Sequence, residues 1–386
     1  MIERNTKQYI PLSEFITEYS ERNTENKYSP VAVGKYGIRS RESIYSKELA
    51  SDYSKNKLIY KNTLTVGMGS KQIDVGVLLD NITYSVSPAY HTYKITNINA
   101  KYLDYCIQCR NQDMFNRFVK RGSRQGKTVD LKRWLTYEIP VYDEKSQAEI
   151  VDYLNRAHSL IELRQKQLEK LDVLVKARFV EMFGDPANNE KGFIKAPMGD
   201  YMTLLTDFSS NGSYKTLDSG VTMYDEPNYA WMVRTTDLES GDMTSIKYID
   251  ESAYELLSKS KIYGGEIIMN KIGSAGKIYL MPQINIPASL GRNAFMFRYD
   301  EHINVKFLYH LLTSEYGQRE IQQYVRGAVT KTITKNDARA VLIIVPPIEL
   351  QNEFEAFVAQ VDKSKVIDTN IIPKGGFYYG DKFFIS

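Results

Sequence analysis

The feature that most constrains this chain is an uninterrupted run of helix-forming residues at positions 144–185. Glu, Gln, Lys, Arg and Leu dominate the run, and neither Pro nor Gly occurs in it before Gly184. Because such side chains lose little freedom in a helix, the run predicts one continuous helix. At ~1.5 Å per residue this helix would be roughly 55–60 Å long, with Ser146 and Glu149 as a capping box at its start.

Apolar residues recur along the predicted helix at the heptad spacing of coiled coils. One seam consists of Leu154, Ile161, Leu168 and Val175, and a second consists of Ala157, Leu171 and the aliphatic stems of Arg164 and Arg178. A seam of this kind needs a partner helix to cover it, so a rod that joins two domains is favoured. The alternative is a buried core helix within one large domain.

The regions on either side of this helix share five short sequence matches in the same order, separated by about 205 positions. The matches pair Gly69-Ser70 with Gly273-Ser274, Ile98–Leu103 with Ile303–Leu308, Arg121-Gly122 with Arg326-Gly327, Ile139-Pro140 with Val345-Pro346, and Gln147–Ile150 with Gln351–Phe354. Chance explains any one of them but hardly all five, so the chain is predicted to be an internal duplication.

Duplication and helix together predict an α+β fold, with two similar mixed α/β domains separated by long coiled-coil-like helices and related by a pseudo-twofold axis. The predicted boundaries are 1–143 for the first domain, 144–185 for the central helix, 186–346 for the second domain, 347–366 for a distal helix and 367–386 for an atypical tail. Pro and Gly residues at 373–380 make the distal helix look truncated. Within the domains, 101–118 and 305–325 are each predicted as one helix.

The composition sets further limits. With 50 basic and 47 acidic residues the net charge is only +3, so a nucleic-acid-binding surface would require local segregation of charge. Two cysteines, Cys106 and Cys109, give no disulfide framework. The N-terminus lacks a signal-peptide profile and no apolar run reaches membrane-spanning length, so we expect a soluble, cytoplasmic protein without a membrane partner.

Charge is segregated after the predicted helix of each domain. Between Arg110 and Arg133 basic residues far outnumber acidic ones, and this region centres on the Gly-containing loop 120–127. The matching loop of the second domain, 326–335, is also basic. One such loop is more often an ordinary solvated surface, but two at equivalent positions favour contact with nucleic acid.

Gly-, Ser- and Lys-containing loops at 67–72 and 270–277 follow predicted strands and are interpreted as turns or as loops that contact phosphate. Basic and amide side chains in all these loops suit phosphates and base edges. The candidate DNA-binding residues are Arg39, Arg41, Lys71, Gln72, Lys120, Arg121, Arg124 and Lys127 in the first domain, and Arg234, Lys271, Ser274, Lys277, Arg292, Asn293, Arg326, Lys331 and Lys335 in the second.

Signatures of catalysis are missing from the sequence. It contains no P-loop, no GxSxG motif, no GxGxxG that opens a helix, and no HExxH among its four His. Cys106 and Cys109 lie in a predicted helix without a second pair at zinc spacing, which favours packing over metal binding. No catalytic or metal-binding residue is therefore predicted, and the chain is expected to recognise a partner rather than to transform a substrate.

The order domain, helix, domain, helix resembles the specificity (S) subunits of type I restriction-modification systems. The resemblance is carried by Ala177–Pro186, where the central helix ends in Phe-Gly-Asp-Pro, and by the Ile-Pro and Gln-x-Glu-Ile pattern of 139–150, which recurs at 345–354. It implies two target-recognition domains, each of which reads one half of a bipartite double-stranded DNA site. The paired helices would set the spacing between the halves.

The resemblance also implies partners. Methyltransferase (M) subunits would carry S-adenosylmethionine and a restriction/translocase (R) subunit would use ATP and Mg, so no cofactor is expected in this chain. The distal helix is shorter than the family pattern implies. This departure calls into question the full antiparallel helix pair and one of the docking sites for M subunits. Two other interpretations stay open from the residues: a two-headed structural adaptor that binds protein partners, and a free-standing enzyme.

Overall fold

The computed structural model describes residues 7–34, 37–41, 52–122, 126–369, 376–379 and 382–385, with backbone only at 121–122 and from 366 onward. The chain divides into two compact units. The first comprises Met1–Gln167 together with Asn370–Ser386, and the second comprises Leu168–Thr369. The division falls inside the central helix, so each unit contains one part of that helix.

The first unit combines short strands with one long helix before the central helix begins. Its elements are β1 (Gln8–Pro11), β2 (Ile16–Tyr19), β3 (Val31–Gly34), β4 (Gly37–Ser40), β5 (Lys57–Ile59), β6 (Thr63–Met68), β7 (Ile73–Leu78), β8 (Tyr84–Val86), β9 (His91–Ile95), α1 (Ala100–Phe118), β10 (Val119–Gly122), β11 (Gly126–Val129), α2 (Leu131–Trp134), β12 (Glu138–Val141) and the start of α3 (Glu144–Phe183).

An antiparallel sheet in the order β2-β9-β6-β7 organises the first unit. Beside it β1 pairs with β12, β3 with β4, β5 with β8 and β10 with β11, all antiparallel. Leu64 and Tyr93 of the sheet share one buried core with Leu103 and Ile107 of α1 and with Trp134. The core therefore lies between the sheet and the apolar side of α1.

The second unit contains the rest of α3 and more helices. Its further elements are β13 (Ile194–Pro197), β14 (Met202–Asp207), α4 (Tyr214–Gly220), β15 (Ala230–Val233), α5 (Thr235–Ser240), β16 (Lys247–Ile249), α6 (Glu251–Leu256), β17 (Lys261–Ile262), β18 (Ile267–Asn270), β19 (Ile278–Leu280), β20 (Ala288–Leu290), β21 (Ala294–Tyr299), α7 (Val305–Thr313), α8 (Glu315–Gln322), α9 (Lys335–Ala340), β22 (Leu342–Val345) and α10 (Ile348–Thr369). Two strands follow it in the chain and pair with each other, β23 (Gly376–Tyr379) and β24 (Lys382–Ile385).

Two sheets organise the second unit. One is antiparallel in the order β14-β21-β18-β19, and the other, β16-β15-β20-β17, contains a parallel pair between β15 and β20. The first sheet packs on α7 through Phe297 and Phe307, whereas Trp231, Leu290 and Met296 belong to a separate core.

The predicted duplication is visible in the fold. The sheets β2-β9-β6-β7 and β14-β21-β18-β19 have the same strand order, and β1–β12 and β13–β22 are equivalent antiparallel pairs. Side chains of Asn99 and Asn304 cap α1 and α7. The backbone N–H of Asn99 donates to Gln147 Oε1 and that of Asn304 to Gln351 Oε1, each at 2.9 Å. We call this shared set (sheet, capped helix, strand pair and Gln-bearing helix start) the frame.

The central helix α3 follows the predicted heptads. Every seam position from Leu154 to Arg178 is buried or half-buried, and every other residue between them is exposed except His158, which stacks on Tyr105. Within the second unit α3 and α10 run antiparallel. The ion pairs Asp172–Lys365 (2.8 Å) and Arg178–Glu353 (2.7 Å) fix this direction, because the partner number falls as the α3 number rises.

Two local predictions were wrong. The helix α3 begins at Glu144, and its start is capped by Asp143 rather than by Ser146, whose N–H and Oγ both donate to the Asp143 carboxylate (2.9 and 2.8 Å). The single helix predicted at 305–325 is two helices that meet at Ser314, which caps α8. A Cβ on Gly317 would lie 2.2 Å from Leu311 O, so glycine permits this tight junction.

The distal helix α10 has 22 residues and α3 has 40. The predicted end at residue 366 is thus three residues short of the observed end at Thr369. In the part of the chain that the structure describes, we find no helix both long and apolar enough to cross a membrane.

Candidate nucleic-acid interface

In the second unit the two predicted loops, 270–277 and 326–335, lie side by side. Gly273 N donates to Lys331 O (2.9 Å), and Ile333 N donates to Lys271 O (3.0 Å). The second loop is closed on itself by mutual backbone hydrogen bonds between Arg326 and Thr332 (2.9 and 2.7 Å). Candidate residues from both loops therefore belong to one surface.

The first unit joins its predicted loops in the same way. Lys127, on the β10–β11 hairpin, donates from Nζ to Ser70 O (2.8 Å), which connects the hairpin to the loop 67–72. Lys71 is exposed and Gln72 is half-buried in that loop. Two further candidates fall elsewhere: Arg124 lies outside the described residues, and so does the side chain of Arg121, although its backbone pairs with Lys127 across the hairpin.

Three of the candidate cations are exposed and form ion pairs within their own unit. Nζ of Lys120 lies 2.5 Å from Asp130, Nζ of Lys277 lies 2.5 Å from Glu239, and Arg326 lies 3.0 Å from Asp337. Hydrogen bonds from Lys120 and Lys277 hold the pKa of Asp130 and of Glu239 below their ordinary values. The cationic side chains are 64%, 47% and 73% exposed, so solvent screens these pairs and each adds little to stability.

Two other candidates, Lys271 and Lys335, are tied to a buried carboxylate. Their Nζ atoms lie 2.8 and 2.9 Å from the two oxygens of Asp207, which also accepts hydrogen bonds from Ser209 and Ser210. Burial acts to raise the pKa of Asp207, but these four hydrogen bonds outweigh it and hold the pKa well below its ordinary range. The cluster joins Asp207–Ser210, Lys271 and Lys335, which are distant in sequence. It therefore holds the two loops that contain the lysines in place.

Arg234 has a structural partner as well. Its guanidinium makes a bidentate contact with Asp237, at 2.5 Å from Nη2 and 3.0 Å from Nε, and donates to Ser245 O (2.9 Å). Asp237 is buried, so the pair holds the turn between β15 and α5. Arg234 therefore forms a fixed wall of the surface.

A cleft of about 410 Å³ opens in the second unit where the loops β18–β19 and β20–β21 meet. Four of the predicted site residues line it, and apolar side chains that sequence reasoning missed complete the wall. The lining includes Phe208, Met223, Met232, Arg234, Asn270, Ile272, Ser274, Gly291, Arg292 and Asn293. Ser274 also lines a neighbouring cleft of about 530 Å³ with Lys277 and Lys331.

The first unit has a cleft of about 340 Å³ at the equivalent place, between the loops β6–β7 and β8–β9. Its lining consists of Val31, Ala32, Arg41, Gly67, Met68, Ser87, Ala89 and Tyr90. Met68 corresponds to Ile272, and Ala89 to Asn293, at the separation of about 205 positions that relates the two units. Of the two early candidates, Arg41 lines this cleft and Arg39 lies on the exposed part of β4.

Comparisons with known proteins point to one family. Residues 201–373 match the family model of the type I restriction modification DNA specificity domain. The specificity subunit of the type I restriction enzyme MjaVIII from Methanocaldococcus jannaschii is 23% identical over 252 residues, which cover 61% of this chain and 57% of that protein. The match thus spans little more than half the length of this relative.

Two solved structures share the fold. The S subunit of a type I restriction-modification system from M. genitalium superposes with a TM-score of 0.54 at 14% identity, over 96% of this chain and 93% of that chain. A chain from a type I restriction-modification system, solved to explain complex assembly and conformational transition, gives a TM-score of 0.53 at 15% identity over the same shares. The family model covers most of the second unit, and the first unit repeats the frame of that unit. Residues 201–373 thus match the type I restriction modification DNA specificity domain, and the whole chain shares the fold of a solved type I S subunit.

Proposed function

We propose that this chain is the sequence-specific DNA-binding subunit of a type I restriction-modification complex, which reads a bipartite site and positions the methyltransferase and restriction subunits. The observation that carries the proposal is a frame present twice with different side chains in its two clefts. A protein that reads two unlike half-sites needs this combination, because the frame sets the geometry of approach while the cleft determines which bases are accepted.

Affinity for duplex DNA would come from the exposed cations of the loops. Lys71, Lys120, Lys277, Arg326 and Lys331 are all exposed, and they lie on surfaces formed by adjacent loops in each unit. Phosphate contacts of this kind orient a protein on DNA without regard to sequence and weaken steeply as salt rises.

The helix α3 supports a role as a spacer. It begins in the first unit and ends in the second without a break, so the two units are joined by one regular segment. A helix resists bending far better than a flexible linker, and a fixed separation between two DNA-reading parts selects the distance between half-sites.

Chemistry would be supplied by partner subunits. We propose M subunits that carry S-adenosylmethionine and an R subunit that uses ATP and Mg, with no cofactor and no catalytic residue in this chain. The sequence motifs of such catalysis are missing, and most of the polar side chains near the clefts already have structural partners. The competing proposal is a two-headed adaptor whose clefts bind protein segments.

Binding assays on duplex probes test the function. Mapping of methylated bases in the host genome identifies the site, and probes with either half scrambled are then titrated with the chain, alone and with its M subunits. Arg326→Ala is expected to weaken recognition of one half by about 1–3 kcal/mol, and Arg121→Ala that of the other half. Equal losses on every probe would make both residues phosphate contacts.

Salt dependence separates the alternatives. DNA recognition requires affinity that falls linearly with the logarithm of salt concentration. Salt-insensitive binding of peptides without DNA binding would favour the adaptor. Methyl transfer to DNA by the purified chain with S-adenosylmethionine alone would show a free-standing enzyme instead.

A further inference from the structure

We infer that the cleft of the second unit reads an A·T base pair from the major groove, with Asn293 as the residue that contacts adenine. The inference rests on the proposed function and goes beyond it, because it assigns one base pair to one side chain. It is carried by the backbone that holds Asn293, by the atoms that this residue presents, by its neighbours in the cleft, and by the contrast with the first unit.

The backbone around Asn293 is held firmly while its side chain is exposed. Asn293 has a left-handed φ of 67°, and its carbonyl accepts a hydrogen bond from Lys271 N (2.8 Å). Two residues earlier, Gly291 N donates to Val233 O (2.8 Å). None of the described residues forms a hydrogen bond with the Asn293 side-chain amide. An amide without a protein partner, on a backbone held at the wall of a cleft, suits an external ligand with both a donor and an acceptor.

Adenine fits this requirement better than the other bases. An asparagine amide presents one acceptor oxygen and one donor NH2 group side by side. The major-groove edge of adenine presents the complementary pair, the N6 amino donor and the N7 acceptor, whereas guanine presents two acceptors there. Bidentate contact between Asn and adenine is therefore chemically matched, and guanine would leave the amide oxygen facing an acceptor.

The apolar wall of the cleft suits the partner base. Met223 and Ile272 line the cleft and are 52% and 40% exposed. Thymine carries a methyl group on its major-groove edge, and apolar side chains recognise it by contact. An A·T pair would thus form hydrogen bonds with the Asn293 amide through its adenine and cover the exposed side chains of Met223 and Ile272 with its thymine methyl group.

Arg292 adds a fixed positive charge at the rim. Its guanidinium lies over the rings of Phe208 (4.9 Å) and Tyr214 (5.5 Å), and Nη2 lies 3.1 Å from Asp218. The aromatic contacts and the ion pair limit its freedom. The Arg292 guanidinium can therefore attract the DNA to the cleft without competing with the Asn293 amide for the adenine.

The first unit provides the contrast. The residue that corresponds to Asn293 is Ala89, which has no polar side chain, and its cleft contains Arg41 and Ser87 instead. Tyr90 next to it is fixed by a hydrogen bond from its hydroxyl to Val33 O (2.9 Å). Equivalent positions on a shared frame therefore differ in the chemistry that distinguishes one base pair from another, as two unlike half-sites require.

Base analogues test the assignment on the full chain with its M subunits. Each adenine of the site is replaced in turn by 7-deazaadenine, which lacks the N7 acceptor, and each thymine by uracil, which lacks the methyl group. The wild type should lose affinity by about tenfold or more at one adenine of one half-site. Asn293→Gly, which keeps the left-handed backbone unstrained, should bind the natural site about tenfold to a hundredfold more weakly and no longer respond to that 7-deazaadenine.

Matched variants give the controls. Asn336→Ala removes an exposed asparagine of the same unit outside the cleft and should leave the analogue response unchanged. Met223→Ala should remove the response to uracil opposite the critical adenine. An unchanged denaturation curve followed by Trp231 would show that the second unit is folded in each variant.

The assignment is overturned if Asn293→Gly still senses the same 7-deazaadenine, or if it weakens binding equally on probes altered at every position. The proposed function fails separately, if the wild type does not distinguish scrambled half-sites at all. A wild type that distinguishes them, with an Asn293→Gly variant that does so identically, removes only this assignment.

Discussion

The two units build the same frame from different apolar residues. Tyr102 of the first unit stands where the second has Phe307, and Ile150 stands where the second has Phe354. The hydroxyl of Tyr102 donates to Pro140 O (2.8 Å). Phe307 instead stacks on Phe179 of α3, with ring centroids 5.7 Å apart, and packs tilted against Phe183 at 4.7 Å. The first unit thus adds a hydrogen bond at this junction, and the second adds an aromatic cluster.

One set of buried polar contacts, made by Gln147 and by Gln351, recurs in both units. Gln147 and Gln351 each accept a hydrogen bond from the Asn that caps the preceding helix, and each donates to a carbonyl near the start of its own helix, that of Tyr142 or Pro346, at 2.7 Å. Apolar packing tolerates exchange when volume is kept, but a buried amide needs particular partners. The comparison teaches that polar junctions maintain the frame while cores and clefts diverge.

This difference explains what the sequence predicted well. The matches at constant separation include Asn99 with Asn304 and Gln147 with Gln351, which are the residues of these polar junctions. Sparse identity therefore located the frame, since the buried hydrogen bonds need the same residue types in both copies. The heptads of α3 were equally readable, because they depend on local periodicity alone.

Contacts between distant segments were not predictable from local pattern. Asp207 had no motif around it, yet it binds Lys271 and Lys335, which lie 64 and 128 positions further along the chain. For the same reason Lys271, Lys335 and Arg234 were grouped with the exposed cations although each has a buried carboxylate partner. Charge and loop composition predicted a surface from these loops but could not show which of its cations hold the loops together.

Truncation of one buried aromatic side chain should destabilise the second unit far more than the equivalent truncation destabilises the first. Phe354→Ala should lower the free energy of unfolding of the second unit by about 3–5 kcal/mol, because the side chain is fully buried among aromatic rings. Ile150→Ala at the equivalent place should cost the first unit only about 1–2 kcal/mol, since Ile150 is half-buried.

Each unit carries its own fluorescent reporter for this measurement. The chain has two tryptophans, Trp134 in the core of the first unit and Trp231 in a core of the second, both fully buried. Denaturant unfolding of Trp134→Phe and Trp231→Phe backgrounds follows one unit at a time. Equal losses from the two alanine variants would contradict the difference drawn between the cores.

The buried carboxylate of Asp207 stabilises the second unit through its contacts with Lys271 and Lys335. At neutral pH, Asp207→Asn should destabilise this unit by about 1–3 kcal/mol, less than for a fully buried pair because both lysines are partly exposed. The folded-state pKa of Asp207 is depressed, so its contribution is complete above the ordinary carboxyl pKa and is lost as pH falls through the folded value.

The difference between Asp207→Asn and the wild type should therefore shrink as pH falls below about 4. Denaturation curves followed by Trp231 between neutral and acidic pH measure it. The Trp134 signal of the first unit should not respond to the substitution. A difference that stays constant down to low pH would mean that Asp207 does not act through its charge.

The polar junctions should give equal effects in both units. Gln147→Ala and Gln351→Ala each leave partly or fully buried backbone N–H and C=O groups without their side-chain partner, at a cost of about 1–3 kcal/mol. The two reporters measure the two costs separately. If one glutamine proves dispensable, the frame is not maintained by the same contacts in the two units.

Surface cations that contact DNA should contribute to binding but hardly to the stability of the frame. Lys120→Gln and Arg326→Gln each remove an exposed ion pair, Lys120–Asp130 in the first unit and Arg326–Asp337 in the second, so each should change the free energy of unfolding by no more than about 0.5 kcal/mol. If these cations contact phosphate, the same variants should weaken DNA binding and reduce the salt dependence of the binding constant by about one contact each. Titrations at several salt concentrations, set beside the denaturation curves, measure both quantities. A loss of stability above about 1 kcal/mol would place these side chains with Lys271 and Lys335 among the cations that hold the surface together.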